Sequence, residues 1–222
     1  MLDWLLPPQC GSCRSLGSWL CDRCRVRIRR LSEPLCPRCG RELEFAGAGC
    51  GCRRRIRWLT RAAAAAAYEG PLEKAIHRFK YEGWRALAPA LADLVADRLL
   101  VEPGAETVIV AVPLHRRRQR TRGYNQSELL AAELRARLRL PSPPGRLVRL
   151  RDTPPQVGLD RLHRHANVAG AFGWRGAPPA GRPFVVVDDV ATTGATLDAC
   201  AAALRSAGSG PVRGLTIARV SV

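Results

Sequence analysis

Eight cysteines in the first 52 residues constrain this chain more than any other feature of its sequence. They form three pairs with C-x2-C spacing and one pair with C-x-C spacing: Cys10 and Cys13, Cys21 and Cys24, Cys36 and Cys39, Cys50 and Cys52. A C-x2-C turn directs two thiolates at one point, and two such turns complete a tetrahedral zinc site. Residues 1–55 have too little apolar surface to fold alone, so we expect structural Zn²⁺ to stabilise them.

Two zinc sites are the simplest interpretation of these four pairs. Pairing in sequence order places four ligands in residues 10–24 and four in residues 36–52, while an interleaved pairing is also compatible with the spacing. All the ligands are cysteines, which is typical of closed structural sites rather than catalytic ones. The C-x-C pair spans less than a C-x2-C pair, so the pattern predicts strain in the site that it joins.

The cysteine clusters also indicate the compartment. The chain has no apolar run of 18 residues, and its first residues lack the basic and apolar regions of a signal peptide. We therefore expect a cytoplasmic protein without membrane insertion, in which clustered cysteines bind metal rather than form disulfides. The ninth cysteine, Cys200, shares a helical face with Leu197, Ala201 and Leu204 and is predicted to be a core residue.

Beyond residue 60 the sequence alternates between strand and helix patterns. Three short apolar runs predict strands at 108–112, 184–187 and 215–220. Three periodic segments predict helices at about 85–101, 125–138 and 195–207. The alanine run at 62–67 is interpreted as a strand that precedes a helix starting near Pro71, although alanine favours helices. The fold class is therefore α/β, with a mainly parallel sheet flanked by helices.

A candidate phosphate site follows the second predicted strand. Asp188 and Asp189 stand at its carboxyl end, and a small, hydroxyl-rich segment leads from them into a helix. Backbone N–H groups of residues 192–196 can surround an anion there, and Gly194 allows a phosphate to approach closely. The two carboxylates can accept hydrogen bonds from a ribose diol or hold a hydrated Mg²⁺. The segment matches neither a Walker loop nor a G-x-G-x-x-G fingerprint.

The charge of the chain also predicts anionic ligands. Its 36 basic and 19 acidic residues give a formal net charge of +17, which points to nucleic acid, a phosphorylated small molecule or anionic lipid. Five of the seven residues at 116–122 are arginines, whose forked guanidinium groups suit a pyrophosphate. Asn125 and Glu128 form the pattern of a capping box, which predicts the start of the next helix.

The segment V-V-D-D-V-A-T-T-G-A-T at 186–196 resembles the 5-phosphoribosyl-1-pyrophosphate (PRPP) motif of type I phosphoribosyltransferases. Together with the cysteine pairs, four more segments extend the likeness to nearly all 222 residues and resemble the ComF/GntX family: Y-E-G-P-L at 68–72, F-K-Y at 79–81, V-P-L at 112–114 and R-G-Y-N-Q at 122–126. The resemblance implies a double zinc ribbon over 1–58 and a domain of type I phosphoribosyltransferase fold over 59–222. The C-x-C pair departs from the family's usual C-x2-C.

The resemblance implies roles for the PRPP-motif residues. Asp188 and Asp189 would bind the ribose hydroxyls of PRPP, with Mg²⁺ bridging the sugar hydroxyls and the pyrophosphate. The residues that would bind the 5′-phosphate are Thr192, Thr193, Gly194, Ala195 and Thr196.

Two further segments receive roles from the same resemblance. The residues that would form the pyrophosphate loop are Pro113, Leu114, His115, Arg116, Arg122 and Gly123. A lid that closes over the sugar and excludes water would span 151–164. Its candidate contacts to pyrophosphate, acceptor or DNA are Arg151, Gln156, Arg161 and Arg164.

The resemblance implies a link to DNA uptake and competence, with single-stranded DNA and a competence helicase as candidate partners. One hypothesis is a transferase that moves the phosphoribosyl group of PRPP to an unidentified acceptor with Mg²⁺. The alternatives are a non-catalytic sensor of PRPP or nucleotides and a DNA-binding adaptor for the helicase. Without a known acceptor, no catalytic base is assigned.

Overall fold

The computed structural model describes residues 7–96, 98, 107–151 and 167–220. These ranges contain six strands: β1 (Arg61–Ala67), β2 (Val108–Ala111), β3 (Gly145–Arg149), β4 (Phe172–Gly176), β5 (Phe184–Ala191) and β6 (Val212–Arg219). A four-stranded parallel sheet has the order β1-β6-β5-β2, and β3 pairs with β4 as a separate antiparallel ribbon. The predicted parallel sheet is confirmed.

Helices cover both faces of the parallel sheet. The helices are α1 (Asp22–Arg25), α2 (Gly70–Tyr81), α3 (Ala88–Ala96), α4 (Arg116–Arg122), α5 (Gln126–Arg137) and α6 (Ala195–Ser206). Val185 and Val187 of β5 pack in one core with α2, α3 and α5, while Phe184 and Val186 pack in a second core with α6 and the β3–β4 ribbon. This alternation explains why the strand is apolar throughout. Within the described ranges, none of the helices combines the length and apolar character of a membrane-spanning segment.

The alanine run at 62–67 forms a strand, as predicted, because other segments pair with it on both sides. On one side β1 pairs with β6 from Arg61 to Ala67. On the other side the zinc-binding region approaches closely: Ala66 pairs with Arg30, and the Ala62 N–H donates to the Arg38 carbonyl at 2.9 Å. Tertiary pairing therefore overrides the helix propensity of alanine.

Several predicted boundaries were wrong. The strand predicted at 184–187 continues to Ala191 because β6 pairs with it along its full length. The segment at 116–122, expected as a loop, forms the short helix α4. The helix predicted from residue 85 begins with a 3-10 turn, Arg85–Leu87, before α3. The strands β3 and β4 were missed because neither has a long β-branched run.

Candidate functional site

The eight N-terminal cysteines form two clusters, each of whose four sulfur atoms lie within 4.8 Å of one another. The first cluster contains Cys10, Cys13, Cys21 and Cys24, and the second contains Cys36, Cys39, Cys50 and Cys52. This grouping confirms the pairing in sequence order. The C-x-C pair reaches its cluster through Gly51, whose φ of 64° lies in the left-handed region that glycine tolerates.

The sulfur positions fit tetrahedral zinc. A zinc ion with Zn–S bonds of about 2.3 Å places its ligands about 3.8 Å apart. The Sγ–Sγ distances are 3.7 Å between Cys13 and Cys21, 3.6 Å between Cys36 and Cys52, and a shorter 3.3 Å between Cys39 and Cys50 of the C-x-C pair. A hydrogen bond with Ser15 lowers the pKa of the Cys13 thiol to about 5, which favours the thiolate that a metal requires. The chain therefore carries two four-cysteine sites suited to structural Zn²⁺.

Asp188 lies in β5, one residue beyond Val187, the last residue of that strand that pairs with β2. Its Oδ1 accepts hydrogen bonds from the Ser127 hydroxyl at 2.8 Å and from the Asp189 N–H at 2.9 Å. Burial raises the pKa of Asp188 to about 7, and the neighbouring Asp189 carboxylate contributes to the same rise. Ser127 stands in the first turn of α5, so this helix positions the carboxylate.

Asp189 has a different environment from Asp188. Its side chain is 4% exposed, and its Oδ1 lies 2.8 Å from the Lys80 ammonium nitrogen of α2. In the part of the chain that the structure describes, its buried Oδ2 has no hydrogen-bond partner. Burial acts to lower the pKa of Lys80, but Asp189 outweighs this effect and raises it. The acidic pair thus consists of one carboxylate held by a hydroxyl and one held by a cation.

Residues 192–196 connect β5 to the start of α6. Gly194 has a φ of 83° and directly precedes the helix, and the Ala195 N–H donates to the Thr193 hydroxyl at 3.3 Å. A Cβ atom at Gly194 would lie 3.0 Å from the Ile56 side chain. The structure therefore brings the segment and the acidic pair to the carboxyl half of one strand, where parallel sheets bind ligands.

The segment expected to bind pyrophosphate is partly helical. Pro113 and Leu114 are half-buried, and the ring of His115 accepts a hydrogen bond from the Arg117 N–H at the start of α4. Gly123, at a φ of 79°, ends this helix. The Arg122 guanidinium lies 5.0 Å from the centre of the exposed Tyr81 ring.

Asn125 caps α5, as the capping pattern predicted. Its side chain accepts from the Ser127 N–H and donates to the Val112 carbonyl at 3.0 Å. Glu128 instead forms an ion pair with Arg135 at 3.1 Å. The cap fixes the start of α5 against the end of β2, and this placement also brings Ser127 to Asp188.

A basic cleft of about 760 Å³ lies between the end of β2 and the strand β3. Five arginines and one acidic residue are among the residues that line it: Arg116, Arg135, Arg146, Arg149, Arg175 and Glu128. Pro113, Leu114 and His115 line it, whereas the acidic pair and residues 192–196 do not. Of the predicted lid residues, Arg151 donates to the Ala169 carbonyl, and Gln156, Arg161 and Arg164 lie outside the described residues.

Sequence reasoning missed three residues that hold this site together. Lys80 pairs with Asp189, and Ser127 donates to Asp188. Asp198 of α6 accepts three backbone N–H groups, from residues 57–59, at distances of 2.8 to 3.1 Å. This contact joins the segment after the second cysteine cluster to α6, the helix that begins within residues 192–196. Lys80 carried a signal, because it is one of only two lysines among 36 basic residues.

The fold and the cysteine clusters define a protein with an N-terminal double zinc ribbon followed by a parallel α/β domain. Residues 1–54 match a family model described as a double zinc ribbon domain. DNA utilization protein YhgH of Escherichia coli is 34% identical over 94% of this chain and 95% of its own length. Competence protein F of Haemophilus influenzae is 33% identical over 89% of each chain. Competence protein ComFC of Bacillus subtilis is 28% identical over 85% of this chain and 79% of its own length. The chain belongs to the ComF family.

Proposed function

We propose that this protein binds PRPP, with Mg²⁺, and acts in DNA utilization or uptake. The observation that supports PRPP as the ligand is the acidic pair of β5, Asp188 and Asp189, followed by residues 192–196 at the start of α6. The names of its relatives, which include a DNA utilization protein and two competence proteins, support the biological setting. The division into a double zinc ribbon over 1–58 and a phosphoribosyltransferase-like domain over 59–222 belongs to the same proposal.

The proposed ligand matches the chemistry of each part of the site. Backbone N–H groups of residues 192–196 and the positive end of the α6 dipole suit the 5′-phosphate. Asp188 and Asp189 suit the ribose hydroxyls, and Asp188 is the less buried of the two residues. Arg116 and Arg122 suit the pyrophosphate. Mg²⁺ would neutralise the pyrophosphate charge and raise its capacity to leave.

Transfer of the phosphoribosyl group is the reaction that such a complex would perform. The bond between the anomeric carbon and the pyrophosphate oxygen breaks, the pyrophosphate keeps the electron pair, and an acceptor nucleophile bonds to the anomeric carbon. The arginines of residues 116–122 stabilise the charge on the leaving group. A lid at 151–164, with Arg151, Gln156, Arg161 and Arg164, would exclude water from the electron-poor sugar.

A second candidate function is that of an adaptor that binds single-stranded DNA for a competence helicase. The observation in its favour is the concentration of arginines on α4 and among the residues that line the adjoining cleft. Arg117 and Arg120 of α4 are exposed, as is Arg146 of the cleft. Backbone phosphates of a flexible strand suit such a surface. In this case PRPP or a nucleotide would act as a sensed ligand rather than a substrate.

PRPP binding is tested by thermal unfolding of the zinc-loaded protein. We expect PRPP with Mg²⁺ to raise the melting temperature of the wild type. Asp188→Asn should remove the rise, whereas Asp93→Asn, on the exposed surface of α3, should retain it. A rise that survives Asp188→Asn would contradict the ribose assignment. Release of pyrophosphate from PRPP in the presence of a panel of bases, with and without single-stranded DNA, then separates a transferase from a sensor.

A further inference from the structure

Lys80 is fixed at the acidic pair by a contact within the protein itself. Its ammonium nitrogen lies 2.8 Å from Oδ1 of Asp189, and the two side chains are 17% and 4% exposed. Loss of one partner from a pair at this depth leaves the other charge buried and uncompensated. The position of Lys80 therefore influences where the Asp189 carboxylate lies, and Asp189 is bonded through its N–H to Asp188.

The same turn of α2 is attached to the first zinc ribbon. The Arg78 guanidinium donates to the Gly11 carbonyl at 2.6 Å and to the Ser12 carbonyl at 2.9 Å. Both carbonyls lie between the ligands Cys10 and Cys13. Residues two apart on a helix point to different sides, so Arg78 reaches the ribbon while Lys80 reaches the sheet.

Apolar packing reinforces the attachment. The first ribbon contributes Cys10, Cys24 and Leu20 to the same core as Ile76 and Phe79 of α2. A close-packed interface transmits displacement because it has no space in which to absorb it. A change in the ribbon that follows loss of its metal would therefore move the last turn of α2.

We propose that Lys80 is a positioning residue of the candidate site, and that α2 couples its position to the metal held by the first zinc ribbon. Zinc bound by Cys10, Cys13, Cys21 and Cys24 then favours the arrangement of Lys80 and Asp189 seen here. By thermodynamic reciprocity, a ligand bound at the acidic pair favours retention of that zinc ion. The part that concerns PRPP rests on the proposed function, whereas the coupling between Lys80 and the metal does not.

The coupling is tested first without PRPP, by release of zinc from the full-length, zinc-loaded protein to a chelating colorimetric indicator. We expect Lys80→Met to speed the release of one of two zinc equivalents by about fivefold or more, because α2 loosens at Arg78. Lys80→Arg, which keeps the charge, should restore much of the retention. Lys74→Met is the matched control, since Lys74 is exposed on the same helix.

The second zinc equivalent is an internal control. Its ligands contact β6 rather than α2: the Cys39 carbonyl accepts from Arg219 at 2.7 Å. Equal release rates for the wild type and Lys80→Met would overturn the proposal. Equal acceleration of both equivalents would also overturn it, because that result indicates a general loss of stability.

The second arm adds PRPP with Mg²⁺. In the wild type we expect PRPP to raise the affinity for the same zinc equivalent by about fivefold, measured by equilibrium competition with the indicator. Arg78→Met should still bind PRPP and two zinc ions but should lose this protection. PRPP binding without any change in zinc retention overturns the coupling between this ligand and the metal and leaves the proposed function intact. Absence of PRPP binding, with the effect of Lys80→Met retained, overturns the proposed function and leaves the coupling intact.

Discussion

Asp188 and Asp189 are adjacent in sequence, yet the fold gives them different electrostatic environments. Asp188 accepts from a hydroxyl and a backbone N–H, whereas Asp189 is paired with the ammonium group of Lys80. The acidic pair and its place before a helix could be predicted from sequence, because the motif is continuous. The residues that contact this pair could not be predicted, because Lys80 and Ser127 belong to distant segments of the chain. Only the packing of α2 and α5 brings them to β5.

The raised pKa of Asp188 predicts a pH-dependent stability. Its folded-state pKa is about 7 and its ordinary value is 3.8. Between these values the folded protein holds a proton that the unfolded chain releases, so this contribution to stability is present below about pH 4 and is lost as pH rises through about 7. Asp188→Asn removes the titration and retains an oxygen that can accept from Ser127.

We therefore expect Asp188→Asn to stabilise the protein, relative to the wild type, by about 1–2 kcal/mol more at about pH 8 than at about pH 6. The measurement is urea-induced unfolding of the zinc-loaded proteins at the two pH values. An equal difference at both pH values would show that the carboxyl group titrates outside this range.

At the scale of elements, the junction between β5 and α6 is the most constrained part of the site. Gly194 needs a φ of 83°, and a Cβ atom there would approach Ile56 at 3.0 Å. The sequence motif predicted that Gly194 is needed because it allows a phosphate to approach the backbone closely. The structure adds that Ile56, just after the second cysteine cluster, packs against the same glycine, which no local pattern could reveal.

Gly194→Ala tests this junction. The left-handed backbone costs alanine about 1–2 kcal/mol, and Ile56 must also shift. We expect a lower melting temperature and weaker PRPP binding in the same variant, because the N–H groups of residues 192–196 lose their arrangement. Gly208→Ala, at a position with a φ of 93° but open space around it, is the control. It should lose stability and keep PRPP binding.

The elements that sequence failed to predict share a physical cause. α4 consists of five arginines and two uncharged polar residues and has no buried residue, so its sequence has no apolar period. β3 and β4 pair only with each other, and their short sequences resemble loops. β1 was predictable as a strand only from the Gly70-Pro71 pair that follows it and marks the start of the next helix, since its alanines favour a helix in isolation.

At the scale of the whole molecule, the charge of +17 is distributed unevenly. Residues 107–165 hold thirteen arginines and four acidic residues, and their described part forms α4 and much of the basic cleft. The cysteine clusters and the parallel sheet could be predicted because each has a repeated local signature. Contacts between the two regions, such as Arg78 with Gly11 and Asp198 with residues 57–59, required the structure.

Binding of single-stranded DNA, if it uses this surface, should depend steeply on salt. Each phosphate that an arginine neutralises releases condensed counterions and contributes about −0.7 to the slope of log K against log salt concentration. Replacement of Arg117 and Arg120 by glutamine should make the slope shallower by about 1.4, whereas Arg53→Gln with Arg54→Gln, near the second cysteine cluster, should leave it unchanged. Fluorescence anisotropy of a labelled oligonucleotide measures both slopes, and a flat salt response of the wild type would contradict the arginine mechanism.

The central claim, that the α/β domain is a PRPP site, is tested most directly by isothermal titration calorimetry of the full-length, zinc-loaded protein. We predict that PRPP with Mg²⁺ binds saturably at one site per chain and that ribose 5-phosphate competes, because both carry the 5′-phosphate that we propose residues 192–196 bind. Absence of saturable heat with millimolar PRPP, from protein that retains its zinc and its folded melting transition, would contradict the account.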